Sequence, residues 1–219
     1  DIRKCSQKDY FNYLGLAADE ITNFDGRNLV LRERVKVDSN LSEMCNYFTE
    51  QTPLILKAVN LLHTWQQFYQ FNAVHVHGDY QLNNILFGDD YKSISGLIDW
   101  DRAKKRGFPL QDVIHLIVSS YATRHNVHRA TILAKLIKQE TLDAESTQIL
   151  KSFCKGADID YNHLPFFVLH LWIMYFFYAY DEKMTFNKRW LAAFTDPLPC
   201  CLEHLKGLLV KMEKVVDAS

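Results

Sequence analysis

The sequence has few of the residues that interrupt helices. Glycine occurs 8 times and proline 5 times among 219 residues. This scarcity favours a mostly helical body with few turns. With 48% hydrophobic and 13% aromatic residues, the chain is apolar enough to bury a sizeable core. No linker-like segment divides the sequence, so we predict a single domain over residues 1–219.

The chain also lacks an excess of charge of either sign. Its 25 Lys and Arg residues nearly balance its 26 Asp and Glu residues. This balance indicates neither a polycationic nucleic-acid-binding surface nor a disordered acidic tract. We therefore expect no nucleic-acid partner.

No pair of cysteines has the Cys-x-x-Cys spacing of a zinc ribbon. The five cysteines are odd in number, which argues against a secreted disulfide framework and favours a reducing, cytoplasmic compartment. The adjacent Cys200 and Cys201 could form a redox pair, but ordinary buried thiols are the favoured interpretation.

Neither a signal peptide nor a clear membrane span is evident. Residues 1–10 lack the apolar region of a signal peptide. The most apolar stretch, 164–180, contains a histidine and three tyrosines and is shorter than the roughly 20 residues that a membrane-spanning helix needs. We expect this stretch to form a core helix, and we expect no membrane partner.

Apolar residues recur at helical spacing through most of the chain. One or two helices are predicted between residue 41 and about 71, with Pro53 near the start of the second. Asp143 and Asp196 are typical start signals for two of the later helices. Residues 1–38 are the hardest to interpret. The later helices are predicted over 110–124, 127–140, 143–155, 162–182 and 198–215.

A short β-rich segment separates the first helices from the later ones. Val74 and Val76 flank a polar residue in alternation, as in a strand. The apolar runs 85–87 and 94–98 flank a loop of turn-forming residues. We predict a β-hairpin from about residue 84 to residue 100. The predicted fold class is therefore mainly α (α+β), with a small antiparallel hairpin.

Polar residues around this hairpin suit phosphoryl transfer from a nucleotide. Asp79 precedes the hairpin, Asn84 begins its first strand and Asp99 ends its second. The reaction needs a carboxylate near the acceptor hydroxyl and hard oxygen ligands for Mg²⁺. The spacing predicts that Asp79 faces the acceptor, while Asn84 and Asp99 face the metal.

Three motifs in this region resemble those of the aminoglycoside phosphotransferase and choline kinase superfamily. Residues 77–84, His-Gly-Asp-Tyr-Gln-Leu-Asn-Asn, resemble the H-G-D-x-x-x-x-N catalytic loop. Residues 97–101, Leu-Ile-Asp-Trp-Asp, resemble its I-D-W-[DE] segment, and 107–112 resemble the G-x-P-x-x-D stretch that opens the next helix. The resemblance covers roughly 40–215 and implies the C-terminal helical lobe of the protein-kinase-like fold.

The resemblance implies a kinase that transfers the γ-phosphoryl group of ATP or GTP to a small-molecule hydroxyl. The implied acceptor is an amino sugar, an amino alcohol or another sugar. Asp79 would accept or hydrogen-bond the hydroxyl proton, and Asn84 and Asp99 would bind Mg²⁺ and, through it, the nucleotide. His77 would belong to the catalytic group as a residue that braces the loop. Asp112 would tie down the backbone of the loop.

Members of this superfamily also carry an N-terminal β-lobe with a nucleotide-covering loop and a phosphate-contacting lysine. No Gly-x-Gly-x-x-Gly precedes Asp79, and Lys36, in the alternating segment 29–37, is a weak candidate for that lysine. We expect that this lobe was removed from the chain, because the catalytic residues are retained. It would then be a partner in the full-length protein. The alternative is a non-catalytic, kinase-like binding or scaffolding domain.

Other interpretations of individual residues are open but not favoured. His75 and His77 could bind a metal, yet no cysteine or carboxylate follows at a zinc-like spacing. A protein kinase is disfavoured, because Gly78 stands where protein kinases have arginine and no Ala-Pro-Glu-like segment follows Asp99.

The remaining polar and aromatic clusters are expected to be structural. The acidic pair 181–182 could attract a cationic acceptor, but solvated charge at a helix end is favoured. The basic cluster 104–106 could meet phosphate or an anionic acceptor, but a solvated loop is favoured. His115, His125 and His128 have no predicted partners. The aromatic residues of the apolar stretch could surround a cationic acceptor, although core packing is favoured; they are Trp172, Tyr175, Phe176, Tyr178 and Tyr180.

Overall fold

Helices form most of the protein. The computed structural model describes residues 6–25, 41–89, 92–182 and 188–216. Within these residues the helices are α1 (Gln7–Asp25), α2 (Leu41–Tyr47), α3 (Thr52–Phe68), α4 (Gln111–His125), α5 (Arg129–Ile137), α6 (Ala144–Gly156), α7 (Leu164–Asp181), α8 (Lys188–Thr195) and α9 (Leu198–Val216).

Four short strands lie between α3 and α4. They are β1 (Val74–Val76), β2 (Ile85–Phe87), β3 (Ile94–Leu97) and β4 (Lys104–Gly107). β2 pairs with β3 in antiparallel register, so the predicted hairpin is confirmed. β1 pairs with β4 in a second antiparallel ladder. The fold class, mainly α with a small antiparallel hairpin, is confirmed.

The basic cluster 104–106 was expected in a loop, and that expectation was wrong. These residues form most of β4, although their side chains are exposed. The strand forms through backbone pairing with β1 rather than through an alternating apolar pattern, so the sequence carries no strand signal here. Gly107 completes the pairing opposite Val74, where an added Cβ would lie 2.4 Å from a methyl carbon of Val76.

Most helices follow the predicted pattern. Pro53 lies in the first turn of α3, and the Asp143 carboxylate caps α6 by accepting a hydrogen bond from the Ser146 amide at 2.6 Å. Helices α1, whose buried face includes Leu14 and Ile21, and α8 were not predicted from the sequence. Lys36 and its proposed strand lie outside the described residues.

The apolar helix α7 forms the centre of the core. Every residue from 164 to 179 is buried, and Phe166 stacks on Trp65 of α3 with ring centroids 5.0 Å apart. Within the described chain, Tyr161–Asp181 is long and apolar enough to cross a membrane, but 89% of its most apolar window is buried inside the protein. The burial confirms the prediction of a core helix.

The aromatic residues of α7 do not form an open cage. Trp172 and Phe176 are fully buried in the core. The hydroxyl of Tyr180 donates to the Glu43 carboxylate at 2.8 Å. The favoured interpretation as core packing is therefore confirmed for most of these rings.

A buried histidine lies in the same core. His170 of α7 is only 4% exposed and stacks on Phe108 with ring centroids 3.7 Å apart. Burial, with a smaller effect of the Lys104 charge, lowers the pKa of His170 to about 3. The imidazole is therefore neutral in the folded protein at neutral pH.

We expect this histidine to make the protein sensitive to acid. Between about pH 6.5 and pH 3 the unfolded chain protonates this side chain while the folded protein does not, so stability falls as the pH falls through that window. His170→Phe should reduce the acid-side slope of the unfolding free energy by up to about 1.4 kcal/mol per pH unit. Urea denaturation between pH 4 and 6.5 measures the slope. Equal slopes in the two proteins would contradict a neutral buried His170.

Candidate active site

The loop between β1 and β2, residues 77–84, is held by a carboxylate from the first turn of α4. One oxygen of Asp112 accepts a hydrogen bond from the His77 amide at 2.6 Å, and the other accepts from the Gly78 amide at 3.0 Å. Burial raises the pKa of Asp112 to about 6 although both bonds lower it, so the group is ionised at neutral pH. Asp112 thus ties down the loop as the resemblance implied.

Gly78 allows three parts of the chain to meet. Its φ is 83°, and an added Cβ would lie 2.2 Å from the carbonyl oxygen of Arg102. Only glycine tolerates both the positive φ and this approach of a second backbone. The Gly78 carbonyl in turn accepts a hydrogen bond from the Tyr178 hydroxyl at 2.7 Å. The glycine therefore links the loop to the segment after the hairpin and to α7.

Asp79 and Asn84 are fixed to each other. The Asn84 side-chain nitrogen donates to the Asp79 carbonyl at 2.9 Å and to the Asp79 carboxylate at 3.0 Å. The same carboxylate oxygen accepts from the side-chain nitrogen of Gln81 at 3.2 Å. Because the nitrogen of Asn84 is engaged twice, its amide oxygen is the atom that can face a cation.

The hairpin brings the end of β3 back to the loop. The Ile98 amide donates to the Asn84 carbonyl at 3.0 Å, which extends the β2–β3 pairing to the residue before Asp99. Asp99 is exposed and has a φ of 65°. Positive φ is uncommon for residues other than glycine, and such strain concentrates at functional sites. The structure therefore places Asp99 directly after the residue whose backbone is bonded to Asn84.

An amide oxygen and a carboxylate are hard ligands that fit Mg²⁺, which commonly uses one or two protein ligands and keeps several waters. A three-residue cluster of His, Cys, Asp or Glu suited to a transition metal is absent from the part of the chain that the structure describes. The pair His75 and His77 accordingly gains no third ligand there.

His77 braces the loop. Its Nε2 lies 2.9 Å from the Ile98 carbonyl oxygen, which can only accept, so the proton is assigned to Nε2. Nδ1 then accepts from the Asp79 amide at 3.4 Å. Burial lowers the pKa of His77, against opposing effects of the Ile98 carbonyl and of the Asp79 and Asp99 carboxylates. The neutral ring joins the loop to the end of the hairpin.

Comparison with known families agrees with this arrangement. Residues 22–143 match the model of the phosphotransferase enzyme family, a match that spans more than half of the chain and includes the loop, the hairpin and Asp112. The chain belongs to this family. It is the aminoglycoside phosphotransferase and choline kinase superfamily that the three motifs indicated. None of the curated proteins compared matches the chain.

One residue beside the loop was not indicated by the sequence patterns. His115 of α4 is 1% exposed, and its Nε2 lies 3.6 Å from an oxygen of Asp79, somewhat beyond hydrogen-bond distance. Burial lowers the pKa of His115 to about 3, so the ring is neutral. Its spacing from Asp112, three residues along one helix, puts both on the same face. That spacing is the feature of the sequence that could have indicated His115 as a site residue.

Two arginines also lie near the loop. Arg102 pairs with Glu182 and lies over the Tyr178 ring, 4.0 Å from its centroid. Glu182, expected to be simply solvated, is therefore in an ion pair. Arg129 donates to the side-chain oxygen of Gln81 at 3.2 Å. No motif indicated either contact, because both join elements that are distant in sequence.

The close approach at Gly78 is directly testable. Gly78→Ala should lower the free energy of unfolding by at least about 2 kcal/mol, because the added methyl group meets backbone atoms at a strained φ. The matched control is Gly207→Ala in α9, where nothing lies within 4 Å of the added Cβ; it should be neutral or stabilise by up to about 1 kcal/mol. Chemical denaturation measures both, and equal stability of the two variants would contradict the close approach.

Proposed function

We propose that the chain transfers the γ-phosphoryl group of ATP or GTP to a hydroxyl group of a small molecule, in an Mg²⁺-dependent reaction. The observation that carries the proposal is the hydrogen-bonded pair of Asp79 and Asn84 on one clamped loop, with Asp99 one residue beyond the backbone bond that joins the hairpin to Asn84. The proposed acceptor is an amino sugar, an amino alcohol or another sugar. The proposed setting is cytoplasmic, with no nucleic-acid or membrane partner.

In this proposal Asp79 receives the hydrogen bond of the acceptor hydroxyl. Phosphoryl transfer requires little covalent chemistry from the protein. It depends mainly on positioning of the reacting groups and on stabilisation of their charge. The carboxylate of Asp79 is 15% exposed, which leaves it accessible to an acceptor. The amide groups of Gln81 and Asn84 hold one of its oxygens. Its orientation is thus set before an acceptor arrives.

Asn84 and Asp99 would hold the metal ion. Mg²⁺ at this position would neutralise charge on the nucleotide phosphates. Rotation of the Asn84 amide would break its two hydrogen bonds to Asp79, so its oxygen is fixed toward the opposite side. Asp99 would supply the negative charge, since its exposed side chain follows the residue that is bonded to Asn84.

We also propose that an N-terminal lobe is the partner of this chain in the full-length protein. Large apolar side chains are exposed around the hairpin: Leu86 at 46%, Ile98 at 44% and Trp100 at 39%. Exposed apolar groups that adjoin one another are typical of surfaces that another element covers. A nucleotide bound at Asn84 and Asp99 would lie between that lobe and the helical body.

The role of Asp79 can be tested with the full-length protein. Asp79→Asn should lower the rate of phosphate transfer by about 10²-fold or more, because the substituted amide cannot take the hydroxyl proton. Binding of MgATP should change only a few-fold. Turnover on a panel of amino sugars, amino alcohols and sugars measures the first, and calorimetry the second. Unchanged turnover would exclude Asp79 as the base, whereas a folded protein with neither transfer nor MgATP binding would indicate the non-catalytic alternative.

The role of Asp99 has its own test. Asp99→Asn should weaken Mg²⁺-dependent nucleotide binding by about tenfold or more, because a charged oxygen ligand is lost. The matched control is Asp89→Asn, at the exposed tip of the hairpin, which should leave the magnesium titration unchanged. Identical titrations for the wild-type protein and Asp99→Asn would remove Asp99 from the metal site.

A further inference from the structure

A cavity of about 340 Å³ lies between the start of α5 and the aromatic residues of α7 and α8. Tyr175, Trp190 and Phe194 form its aromatic wall. Phe194 contacts both of the others, with ring centroids 5.5 Å from Tyr175 and 4.4 Å from Trp190. A cavity of this size accommodates a small molecule or one end of a larger one.

Hydrogen bonds connect this cavity to the catalytic loop. Arg129, which lines the cavity, donates to the side-chain oxygen of Gln81 at 3.2 Å. The side-chain nitrogen of Gln81 donates to Asp79 at 3.2 Å. With one amide group between the two bonds, the guanidinium lies within about 9 Å of the Asp79 carboxylate. A compact acceptor is long enough to reach both.

A second connection runs through α4. Tyr175 packs edge-on against His115, with ring centroids 5.6 Å apart, and His115 adjoins Asp79. Thr123 of α4 lines both the cavity and a small hollow beside Gln81. The cavity therefore lies on the helical side of the catalytic loop.

The polar character of the cavity favours an anion. Arg129 is the charged residue of its described lining, which includes no Asp or Glu. Arg129 is also the first residue of α5, where the helix N-terminus adds positive potential. A guanidinium has five N–H donors, and the hydrogen bond to Gln81 uses one of them.

A buried hydroxyl group beside the arginine adds a further donor. Tyr175 is 6% exposed, and its hydroxyl lies close enough to Arg129 to interact with the guanidinium by hydrogen bonding. Burial raises the pKa of Tyr175 to about 12, so the hydroxyl keeps its proton. The Arg129 guanidinium lies over the same ring, 5.7 Å from its centroid.

We infer that the acceptor of the proposed reaction carries a carboxylate or phosphate group, which binds Arg129 in this cavity while the acceptor hydroxyl lies at Asp79. The inference rests on the proposed function and narrows its acceptor class. An acceptor that is only cationic would meet the guanidinium with no carboxylate in the described lining to balance it. Sugar acids, sugar phosphates and hydroxy acids satisfy the arrangement, and the aromatic wall would pack against their carbon skeleton.

Matched acceptors test the charge preference. With the full-length protein and MgATP, transfer is compared among glucose, glucosamine, glucuronate and glucose 6-phosphate, and among glycerol, ethanolamine, glycerate and glycerol 3-phosphate. The anionic members of at least one series should have kcat/KM at least about tenfold above the neutral and cationic members, as one charge-assisted contact provides. Comparison of the carboxylates with the phosphates identifies which anion is used.

Arg129→Gln should raise KM for the preferred anionic acceptor by about 10- to 100-fold and abolish the preference over its neutral counterpart. The matched control is Arg124→Gln, since the Arg124 guanidinium lies over the ring of Tyr10 in α1 rather than in the cavity lining. This control should keep the preference. Circular dichroism and thermal unfolding establish that both variants are folded.

A second pair of variants leaves Arg129 unchanged. Thr123 is exposed at the edge of the cavity, so substitution there should leave folding intact. Thr123→Glu should raise KM for anionic acceptors several-fold relative to Thr123→Gln, because the two side chains differ mainly in charge. Their KM values for the neutral counterparts should agree.

The possible results distinguish failure of the inferred acceptor class from failure of the proposed function. Equal kcat/KM for anionic and neutral acceptors would overturn the inference while leaving the phosphotransfer intact. An Arg129→Gln variant with kcat reduced equally for every acceptor and with unchanged KM would also overturn it, because the arginine would then act only through Gln81. Bound MgATP with no transfer to any acceptor would exclude this acceptor class. Absence of MgATP binding would refute the proposed function itself.

Discussion

The candidate site depends on one buried carboxylate. The catalytic loop has little regular secondary structure, so its amide groups need partners from elsewhere in the protein. Asp112 satisfies two adjacent ones, those of His77 and Gly78, and because it lies in the first turn of α4 it ties the loop to the helical body. Further contacts of the loop, through Tyr178 and His77, are built on the position that this clamp fixes.

The apolar core and the candidate active site share residues of α7. Helix α7 provides the centre of the apolar core, yet two of its tyrosines extend toward the loop. Tyr178 donates to the Gly78 carbonyl, and Tyr175 packs against His115 beneath Asp79. Burial of the aromatic rings thus fixes polar atoms at the edge of the core. A loop that carries function is normally positioned by such a scaffold.

Asp79 lies between two chemically different surroundings. On the hairpin side lie Asn84 and Asp99, the residues proposed to hold a metal ion and its nucleotide. On the helical side, Gln81 connects the same carboxylate to Arg129 and to an aromatic cavity. Transfer between a nucleotide and a second substrate requires a site with two such sides. One set of hydrogen bonds around Asp79 thus supports both the proposed phosphoryl transfer and the inferred acceptor class.

The sequence by itself determined the helical fold class, the β2–β3 hairpin and the chemistry-bearing segment 77–101. These features depend on local periodicity, on turn residues and on motif spacing, which a single sequence displays directly. The roles of Asp79, Asn84, His77 and Asp99 stay predictions, although the structure brings their backbones or side chains together.

Only the tertiary structure revealed β4, the position of His115 below Asp79 and the connection from Gln81 to Arg129. Strand β4 exists because β1 offers it a backbone partner, and its own basic residues give no strand pattern. His115 and Arg129 reach the loop because α4, α5 and α7 pack against one another around a common core. Contacts between residues far apart in the chain are set by that packing, and the periodicity of each separate helix does not encode them.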